Sequence, residues 1–493
     1  KQAGDSFITM KLPPVYNRRN FCMTLDKEGQ VFFDHDRNVY LLSPQNKLYI
    51  WKPKEDNPAY GYKSMLVDRS GVLWLGGNGT GIQLYDLRIP RLSGLAYKAS
   101  FHEDVLQNFL HVPQQEIQKT SLYNNQSYYI RWTKGLHNDL WFSRAGPADT
   151  STVEVYHYSN GHLATLPWHY TDTIASHHCQ INSLALDNTG KLWGIDFYMR
   201  PVYFDTLTHA VTVYPPLDSV NSDYSFTVSS LLIDRNEQFW ISTALNGLFC
   251  YEKKRNTTVH YTANGTPGAL PTNQLMNIIQ DPDDAHILWI GSLGGGLIKF
   301  NKSTGRCTIY TTKEGLPNNT VYAILPDLSG TLWCSSNKGI FSFDRKKNAV
   351  LQSYISKDGL PGDEFNRYHF LQLPDGRMAF GGVDGYTVFN PLNIASDNYQ
   401  PQIALTGINI NNTAADFGYP ASPLNQAINS LDKIELPYYQ NFLTFEFSAL
   451  QYNITEKLQY RYMLNGFDEG WVYAGNNDVA TYTNCLRVII LSG

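Results

Sequence analysis

Amide, imidazole and tyrosine side chains recur immediately before the first strand of each copy of a repeated unit. Reading these positions along the chain gives Tyr60, Tyr62, Asn125, Gln126, His177, His178, Gln180, Tyr224, Asn273, Gln274, Asn318, Asn319, Asn366 and Arg367. Sugar hydroxyls need both donors and acceptors, and sugar faces pack on aromatic rings, so this mixture suits an oligosaccharide. Two imidazoles and a guanidinium, those of His177, His178 and Arg367, would also suit an acidic sugar. We therefore predict ligand contacts at His177, His178, Tyr224, Asn273, Asn318, Asn319, Asn366 and Arg367.

Catalytic chemistry has little support at these positions. A glycosidase would need two carboxylates about 5 to 9 Å apart, but most Asp residues fall in DxxG turns and Glu364 is the one acid near the proposed site. No HxH, HExxH or HxxxH spacing with acidic partners occurs, and adjacent His177 and His178 would point to opposite faces of a strand. The sequence therefore predicts a binding protein with no catalytic residue, no metal site and no cofactor. A protein-interaction scaffold is the main alternative, and a propeller glycosidase is less favoured.

One repeated unit must position these residues. Its clearest copy, residues 275 to 324, predicts four short strands joined by tight turns, and such a sheet buries both faces only if others stack on it. A turn residue, usually Asp, followed by GxLW or its equivalent marks the second strand. The marker ends at Phe32, Trp74, Trp141, Trp193, Trp240, Trp289, Trp333 and Ala379. A period of roughly 40 to 50 residues with four strands is typical of a β-propeller blade.

The predicted fold is all-β. A β-propeller of seven or eight four-stranded blades occupies residues 1–400, and an immunoglobulin-like β-sandwich occupies residues 401–493. The first unit lacks the Trp of the marker, so it either closes the ring or belongs to an upstream propeller. Residues 92–119 interrupt the repeat, and their apolar spacing is compatible with a short helix. The high content of aromatic residues, Gly and Pro favours strands and turns over helices.

The marker residues have a structural interpretation. The Asp side chain caps backbone amides of a tight turn, the Gly adopts a positive φ, and the Trp fills space between neighbouring blades. In such a ring, the start of each innermost strand reaches the mouth of the central channel, so the polar positions converge there. Any single Asn beside Gly or Pro is more readily explained as a turn residue. The prediction of a binding site depends on their convergence.

Composition limits the other function classes. The net charge of -5, without a run of Lys or Arg, argues against nucleic acid binding. No apolar run approaches the roughly 18 to 20 residues of a membrane span. The six cysteines are scattered without CxxC spacing and are expected to be buried free thiols.

Two stretches resemble a known kind of repeat. DRSGVLWLGGNGTGIQLYD (68–86), and ILWIGSLGGGLIKFN followed by EGLPNNTVYAI, resemble the regulator-propeller repeats of Bacteroides-type hybrid two-component sensors from glycan-degrading gut bacteria. Residues 441–484 are similar to the Tyr-rich β-sandwich module that follows those propellers, with Tyr460, Tyr462, Trp471, Tyr473 and Tyr482 in the expected places. The resemblance covers nearly the whole chain.

The resemblance implies a periplasmic, glycan-sensing ectodomain of an inner-membrane sensor histidine kinase. Such a domain would bind an oligosaccharide, pair as a homodimer through its C-terminal module, and regulate polysaccharide utilisation. A transmembrane helix and a kinase are expected to follow outside this region. The family usually carries two propellers, so the chain is expected to be a piece of the sensor. Its last nine residues, CLRVIILSG, depart from the family pattern.

Overall fold

The chain divides into two compact units in this computed structural model. The first combines Lys1–Ile89 with Asp397–Gly493, and the second is Pro90–Ser396. The structure describes residues 2–3, 6–7, 22–35, 38–45, 47–51, 62–77, 79, 81–87, 92–120, 122–123, 130–144, 154–171, 181–196, 198–215, 228–394, 401–418, 422–431, 433–452 and 458–483. None of the helices within these ranges is both long enough and apolar enough to cross a bilayer.

Two sheets that follow the predicted repeat stand at the start of the first unit. After the hairpin of β1 (Gln2–Ala3) and β2 (Ser6–Phe7), the first sheet contains β3 (Met23–Leu25), β4 (Val31–His35), β5 (Asn38–Leu42) and β6 (Leu48–Trp51). The second sheet has three strands, β7 (Tyr62–Val67), β8 (Val72–Gly77) and β9 (Ile82–Asp86). The amide of Val67 donates to Oγ1 of Thr24 at 3.1 Å, so the first strands of the two sheets are neighbours.

In the described part of the second unit there are six sheets. Their strands are β10 (Gly94–Leu95), β11 (Ile130–Lys134), β12 (Leu140–Arg144), β13 (Val155–Ser159), β14 (His162–Thr165), β15 (His169–Tyr170), β16 (Ile181–Leu186), β17 (Leu192–Asp196), β18 (Pro201–Phe204), β19 (Ala210–Val213), β20 (Val228–Ile233), β21 (Gln238–Thr243), β22 (Leu248–Glu252), β23 (Thr257–Tyr261), β24 (Leu275–Gln280), β25 (Ile287–Ser292), β26 (Leu297–Asn301), β27 (Arg306–Tyr310), β28 (Val321–Pro326), β29 (Leu332–Ser336), β30 (Gly339–Asp344), β31 (Ala349–Tyr354), β32 (Phe365–Gln372), β33 (Met378–Gly382) and β34 (Tyr386–Phe389). Chain neighbours pair antiparallel within each sheet, and β15 adds a parallel edge strand beside β19.

The six sheets close into a ring. Their first strands contact one another in the order β11, β16, β20, β24, β28 and β32, and β32 contacts β11 again. The last sheet gains its fourth strand from the start of the unit, because Gly94 of β10 pairs with Thr387 and Leu95 pairs with Tyr386. Joining the first strand of a propeller to its last sheet removes the open edges of the ring.

The all-β class, with a propeller before a β-sandwich, is confirmed. Each of the eight predicted repeats corresponds to one sheet in the described residues. The prediction of one domain over residues 1–400 needs correction, because β10 closes the ring of Pro90–Ser396 without the first two sheets, and the predicted domain bounds of 1–400 and 401–493 stay predictions. The alternative that the first unit belongs to an upstream propeller also stays a prediction.

The insertion predicted at residues 92–119 contains the α-helices that the structure describes in the second unit, α1 (Phe101–Asn108) and α2 (Gln114–Ile117). The hydroxyl of Ser100 caps α1 by accepting from the amide of Glu103 at 3.3 Å. Phe101, Val105 and Leu106 of α1 are buried in one core cluster with side chains of both the first and the last sheet of the ring. The helix therefore fills the space where the ring closes.

The predicted turn marker forms, and its Asp and Trp side chains are also joined by a hydrogen bond. In the sheet of β24 to β27, Oδ1 of Asp281 accepts from the amides of Asp283 and Asp284, which is the predicted cap. The other oxygen, Oδ2, accepts from the indole N–H of Trp289 at 2.7 Å. The same bond joins Asp68 to Trp74, Asp187 to Trp193, Asp234 to Trp240, and Asp327 to Trp333. Each Trp is thus fixed by its own turn as well as by packing.

The C-terminal part of the first unit is a small β-sandwich, as predicted. One sheet has the order β36 (Thr413–Ala414), β35 (Ile403–Ile410), β37 (Leu443–Ala449) and β40 (Val479–Tyr482), and a second pairs β38 (Tyr460–Tyr462) with β39 (Val472–Gly475). Tyr482 is buried in its core, and Tyr460 and Tyr462 pack against that core. Tyr473, which lies in β39, and Trp471, which precedes that strand, leave 67% and 52% of their surface exposed.

Candidate functional site

The first strands of all six sheets of the ring surround a cavity of about 270 Å³. Each contributes side chains to its lining, so the cavity lies on the axis of the ring. The side chains that extend from one first strand to the next hold this arrangement. Oγ of Ser183 accepts from the amide of Leu231 at 3.0 Å, and Oδ1 of Asn277 accepts from the amide of Ile324 at 2.9 Å. Polar groups in the lining therefore partly replace backbone pairing between the sheets.

A wide bulge in β32 alters the lining on one side. Phe365 pairs with Gly382 and Phe370 pairs with Phe380, so the four residues 366–369 lie opposite Gly381 alone. The bulges in the first strands β16, β20 and β28 contain a single extra residue. A Cβ at Gly381 would lie 2.7 Å from Cδ2 of Phe101 and 2.8 Å from Cβ of His369, so only glycine leaves room for the bulge. Bulges of this kind often redirect side chains beside functional sites.

The bulge brings two arginines to one tyrosine ring. The guanidinium carbon of Arg131 lies 3.4 Å from the centre of the Tyr368 ring, and that of Arg367 lies 5.8 Å from it. Arg131 is buried, whereas Arg367 and Tyr368 are half-buried. All three residues line the cavity. A cation over an aromatic face is attracted by the ring quadrupole, so Tyr368 holds two positive groups close together.

The charged residues that the structure describes in the cavity lining are all basic. Arg131, Lys134 and Arg367 are its charged lining residues, and no carboxylate lines it among the residues that the structure describes. The other polar side chains are hydroxyls and amides, with Tyr368 and the indole of Trp132 beside them. The site can thus donate hydrogen bonds and offer aromatic faces, but the described lining provides no pair of acids for hydrolysis.

Two histidines lie behind the bulge, on the side of α1. The His369 ring stacks on Phe101 with 5.3 Å between centres and meets the His102 ring edge-on at 5.7 Å. Burial lowers the pKa of His369 to about 4. Burial, then the charge of His369, then that of Arg131 hold the pKa of His102 well below its usual range. Both rings are therefore neutral at neutral pH, and positive charge in the site belongs to the arginines and the lysine.

Two of the predicted ligand residues have a structural role. Oδ1 of Asn319 accepts from the amide of Thr312 at 2.8 Å, and its backbone oxygen accepts from the amide of Gly296 at 2.7 Å. Asn273 and Asp363 make the same pair of bonds in the sheets before and after. We name these three residues the loop clasps. Each ties the turn between the second and third strands of one sheet to the loop that enters the next sheet.

The other predicted ligand residues lie in different surroundings. Oδ1 of Asn318 accepts from the amide of Thr320 at 2.8 Å. Asn318 therefore acts as a turn residue, which was the alternative interpretation to ligand binding. The amide of Asn366 contacts Nδ1 of His369 at 3.1 Å and the backbone oxygen of Gly382 at 3.0 Å, so it supports the bulge. Arg367 lines the cavity. His177, His178 and Tyr224 lie outside the described residues, and their predicted contacts stay predictions.

Sequence reasoning missed Arg131 and Tyr368. Both were overlooked because candidates were taken immediately before each first strand, whereas these residues lie within β11 and β32. A signal was present in RYH at residues 367–369, where three polar or aromatic residues interrupt the alternation expected of a strand. The loop clasps also had a signal, because Leu-Pro-x-Asn or Leu-Pro-x-Asp ends at residues 273, 319 and 363.

Comparison with known sequences identifies the C-terminal module. The Y_Y_Y domain model matches residues 451–485. This part of the chain is therefore similar to a Y_Y_Y domain. A 166-residue stretch of the chain is 30% identical to a protein named histidine kinase P4 from Formosa agariphila, and it covers 34% of this chain. The match spans 12% of that relative's length. These two matches confirm the resemblance to sensor kinases that the repeats and the Tyr-rich segment indicate.

Several solved structures are similar to the chain. The extracellular domains of a putative one-component system and of a putative hybrid two-component system, both from B. thetaiotaomicron, are each 19% identical to it with a TM-score of 0.40. Both alignments cover 94% of this chain, and they cover 65% and 63% of those chains, respectively. PorZ, a surface component of the type IX secretion system of Porphyromonas gingivalis, is 11% identical over 93% of this chain and 65% of its own, with a TM-score of 0.42.

Proposed function

We propose that this chain is the ligand-binding part of a periplasmic sensor of the hybrid two-component kind. It binds an oligosaccharide at the central cavity of the ring and controls a histidine kinase that regulates polysaccharide utilisation. The Y_Y_Y domain and the relative named histidine kinase P4 support the sensor role. The cavity supports the binding role, because one concave site takes side chains from every sheet of the ring.

The side chains of the cavity carry the proposal of an oligosaccharide ligand. The guanidinium groups of Arg131 and Arg367 only donate hydrogen bonds, whereas the hydroxyl of Tyr368 can both donate and accept, as sugar hydroxyls require. Hydrolysis would require an acid and a second carboxylate at the glycosidic bond. The described lining is basic, hydroxylic, amidic or apolar, so we propose binding without catalysis. A protein-interaction scaffold would use outer surfaces and would not need this cavity.

A glycan that binds the cavity should raise the stability of the protein. At a concentration of 100 times its Kd, a ligand stabilises the folded state by about 2.7 kcal/mol. We expect thermal-shift screening with oligosaccharides prepared from diverse polysaccharides to give at least one ligand that raises Tm. Prolonged incubation with that ligand should release no new reducing ends. If no oligosaccharide raises Tm while a protein partner does, the scaffold alternative replaces this proposal.

Signal transfer would require the ligand to favour one arrangement of the sensor. A ligand shifts an equilibrium only through different affinities for the two states. We propose that the arrangement is a homodimer paired through the Y_Y_Y domain, where Trp471 and Tyr473 provide exposed aromatic surface. Analytical ultracentrifugation with and without the glycan should show a ligand-dependent change in the dimerisation constant. The same constant with saturating glycan would count against coupling through this domain.

A further inference from the structure

We infer that the ring carries a second binding site, outside the lining of the central cavity, for the ammonium group of an amino sugar. The site lies at the seam between the sheet of β16 to β19 and the sheet of β20 to β23. Its parts are the marker Asp187, the rings of Trp193 and Tyr214, and the side chain of Lys253 that lies on those rings. We name it the ammonium slot. That the ligand is a sugar rests on the proposed function, whereas the preference for an ammonium group follows from the slot.

The two seams that follow show how a cation occupies this place. Lys302 and Arg345 are each the first residue after the third strand of a sheet. Lys302 donates to Oδ2 of Asp234, the oxygen that also accepts from the indole of Trp240. Arg345 donates to Oδ1 of Asp281 at 2.6 Å. Only 6% and 5% of the two basic side chains are exposed, so the marker Asp of one sheet binds a buried cation from the next sheet.

Lys253 holds the corresponding position but does not complete the pattern. It is the first residue after β22, the third strand of its sheet. Its ammonium lies 4.1 Å from the centre of the Trp193 ring and 5.2 Å from that of the Tyr214 ring. Among the described residues, no hydrogen bond or ion pair joins this ammonium to an acceptor, and Lys253 is exposed. The charge of Lys253 is therefore held by aromatic faces and not by a bonded carboxylate.

Asp187 keeps an acceptor that a cation can use. Its Oδ1 accepts from the amides of Thr189 and Lys191 and from the hydroxyl of Thr189. Its Oδ2 accepts from the indole of Trp193 at 2.9 Å, and no other described residue donates to that oxygen. A carboxylate oxygen accepts about two hydrogen bonds, and the corresponding oxygen of the next sheet accepts both an indole N–H and an ammonium. Asp187 is also half-buried, whereas Asp234 is fully buried, as expected where no cation covers the carboxylate.

The ammonium of Lys253 is weakly held, so its side chain can leave the slot. Burial, and then the charge of Lys191, lower the pKa of Lys253 below the ordinary value of 10.5, against the opposing charges of Asp187 and Glu237. A cation on an exposed aromatic face is favoured by only about two- to fivefold. The flexible stem of a lysine can also turn its ammonium to water. A ligand ammonium that contacts both the rings and the carboxylate would therefore replace that of Lys253.

The slot requires the charge and the donors of a primary ammonium group. Such a group can donate to Oδ2 of Asp187 while its charge lies against the ring of Trp193. Lys302 provides the example, because its primary ammonium binds the corresponding carboxylate of the next sheet. A hydroxyl would offer a donor without the charge, and a quaternary ammonium would offer the charge without a donor. Among sugars, those with a free amine meet both requirements.

Glucosamine and N-acetylglucosamine form a matched pair of probes, because acetylation removes the charge of the amine and keeps the rest of the sugar. Ligand-observed NMR titration at about pH 6, where the free amine is protonated, measures both affinities. We expect the native protein to bind glucosamine more tightly than N-acetylglucosamine. Lys253→Ala should strengthen glucosamine binding by about two- to fivefold, the factor with which Lys253 competes, and leave N-acetylglucosamine binding unchanged.

Lys254→Ala is the control, because Lys254 is the next residue, is also exposed and carries the same charge. It should change neither affinity. In the Lys253→Ala background, Asp187→Asn should weaken glucosamine binding by about tenfold, as expected for the loss of a charge-assisted bond. Asp187 also caps its turn, so Tyr214→Leu in the same background provides an independent test. Removal of this ring should weaken glucosamine binding by about two- to fivefold.

The outcomes separate the slot from the proposed function. Equal affinity for the two probes in both the native protein and Lys253→Ala, or no gain in Lys253→Ala beyond that in Lys254→Ala, would overturn the ammonium slot. An oligosaccharide that raises Tm although glucosamine does not bind would leave the proposed sensor function standing without the slot. Glucosamine binding that depends on Asp187 and Tyr214, when no oligosaccharide of the panel raises Tm, would support the slot and count against the proposed glycan sensor.

Discussion

Replacing Gly296 with Ala should lower the free energy of unfolding by about 3 to 5 kcal/mol. Gly296 has a φ of +80°, a conformation that costs an L-residue about 1 to 2 kcal/mol. A Cβ there would lie 1.9 Å from the backbone oxygen of Tyr310, so β26 and β27 must move apart. Such overpacking costs about 1 to 3 kcal/mol. The movement would also disturb the bond from the Gly296 amide to the loop clasp Asn319. Urea unfolding followed by tryptophan fluorescence measures the loss.

Gly294→Ala is the matched control, two residues earlier in the same turn. Gly294 has a φ of +81°, but no heavy atom lies within 4 Å of the position of its Cβ. Gly294→Ala should therefore lower the free energy of unfolding only by the cost of a positive φ for an L-residue, about 1 to 2 kcal/mol. Equal losses for the two variants would show that the close approach at Tyr310 has no energetic importance.

The repeat could be predicted because its signals are local. Asp, Gly and Trp of the marker act within one turn, as the bonds from Asp281 to nearby amides illustrate. The apolar spacing of residues 92–119 likewise predicted a helix, and α1 lies there. The bond from Trp289 to Asp281 was missed because turn chemistry and packing were assigned to separate residues.

The closure of the ring could not be predicted, because it depends on contacts between distant parts of the chain. Gly94 and Leu95 form a short segment without strand periodicity. They nevertheless pair with β34, in which Thr387, the partner of Gly94, lies almost 300 residues later in the chain. The cavity shows the same difficulty. Arg131 and Tyr368 are far apart in sequence and meet only because the first and last sheets become neighbours.

Replacing Arg345 with Met should also be strongly destabilising. Its side chain is 5% exposed, and its guanidinium bonds to Oδ1 of Asp281 at 2.6 Å and to Oδ2 of Asp283 at 2.8 Å. Arg345 follows β30, whereas both acids follow β24, so the contact joins neighbouring sheets. Removing one partner of a buried ion pair leaves the other charge without compensation, at a cost of about 3 to 5 kcal/mol. Urea unfolding at neutral pH measures the change.

The neighbouring Lys346 provides the control. Its ammonium lies 3.8 Å from Asp283, but the side chain is 79% exposed. An exposed ion pair contributes little, so Lys346→Met should change the free energy of unfolding by no more than about 0.5 kcal/mol. The double variant with Asp281→Asn and Arg345→Met should lose less than the sum of the two single variants, because no charged partner remains alone. Similar losses for Arg345→Met and Lys346→Met would contradict the importance of the buried pair.

The effect of Arg345→Met should depend on pH with a definite sign. Burial alone would raise the pKa of Asp281, but the indole of Trp289, two backbone amides and Arg345 outweigh it and hold the pKa below the ordinary value of 3.8. Stability from this carboxylate is therefore complete above about pH 3.8 and is lost as the pH falls through the lower, folded-state pKa. Without Arg345, part of that lowering disappears. The difference in unfolding free energy between the native protein and the variant should be constant near neutral pH and should narrow below about pH 3.8. If this difference in unfolding free energy stays constant down to pH 3, Arg345 stabilises the protein through its packing and not through its charge.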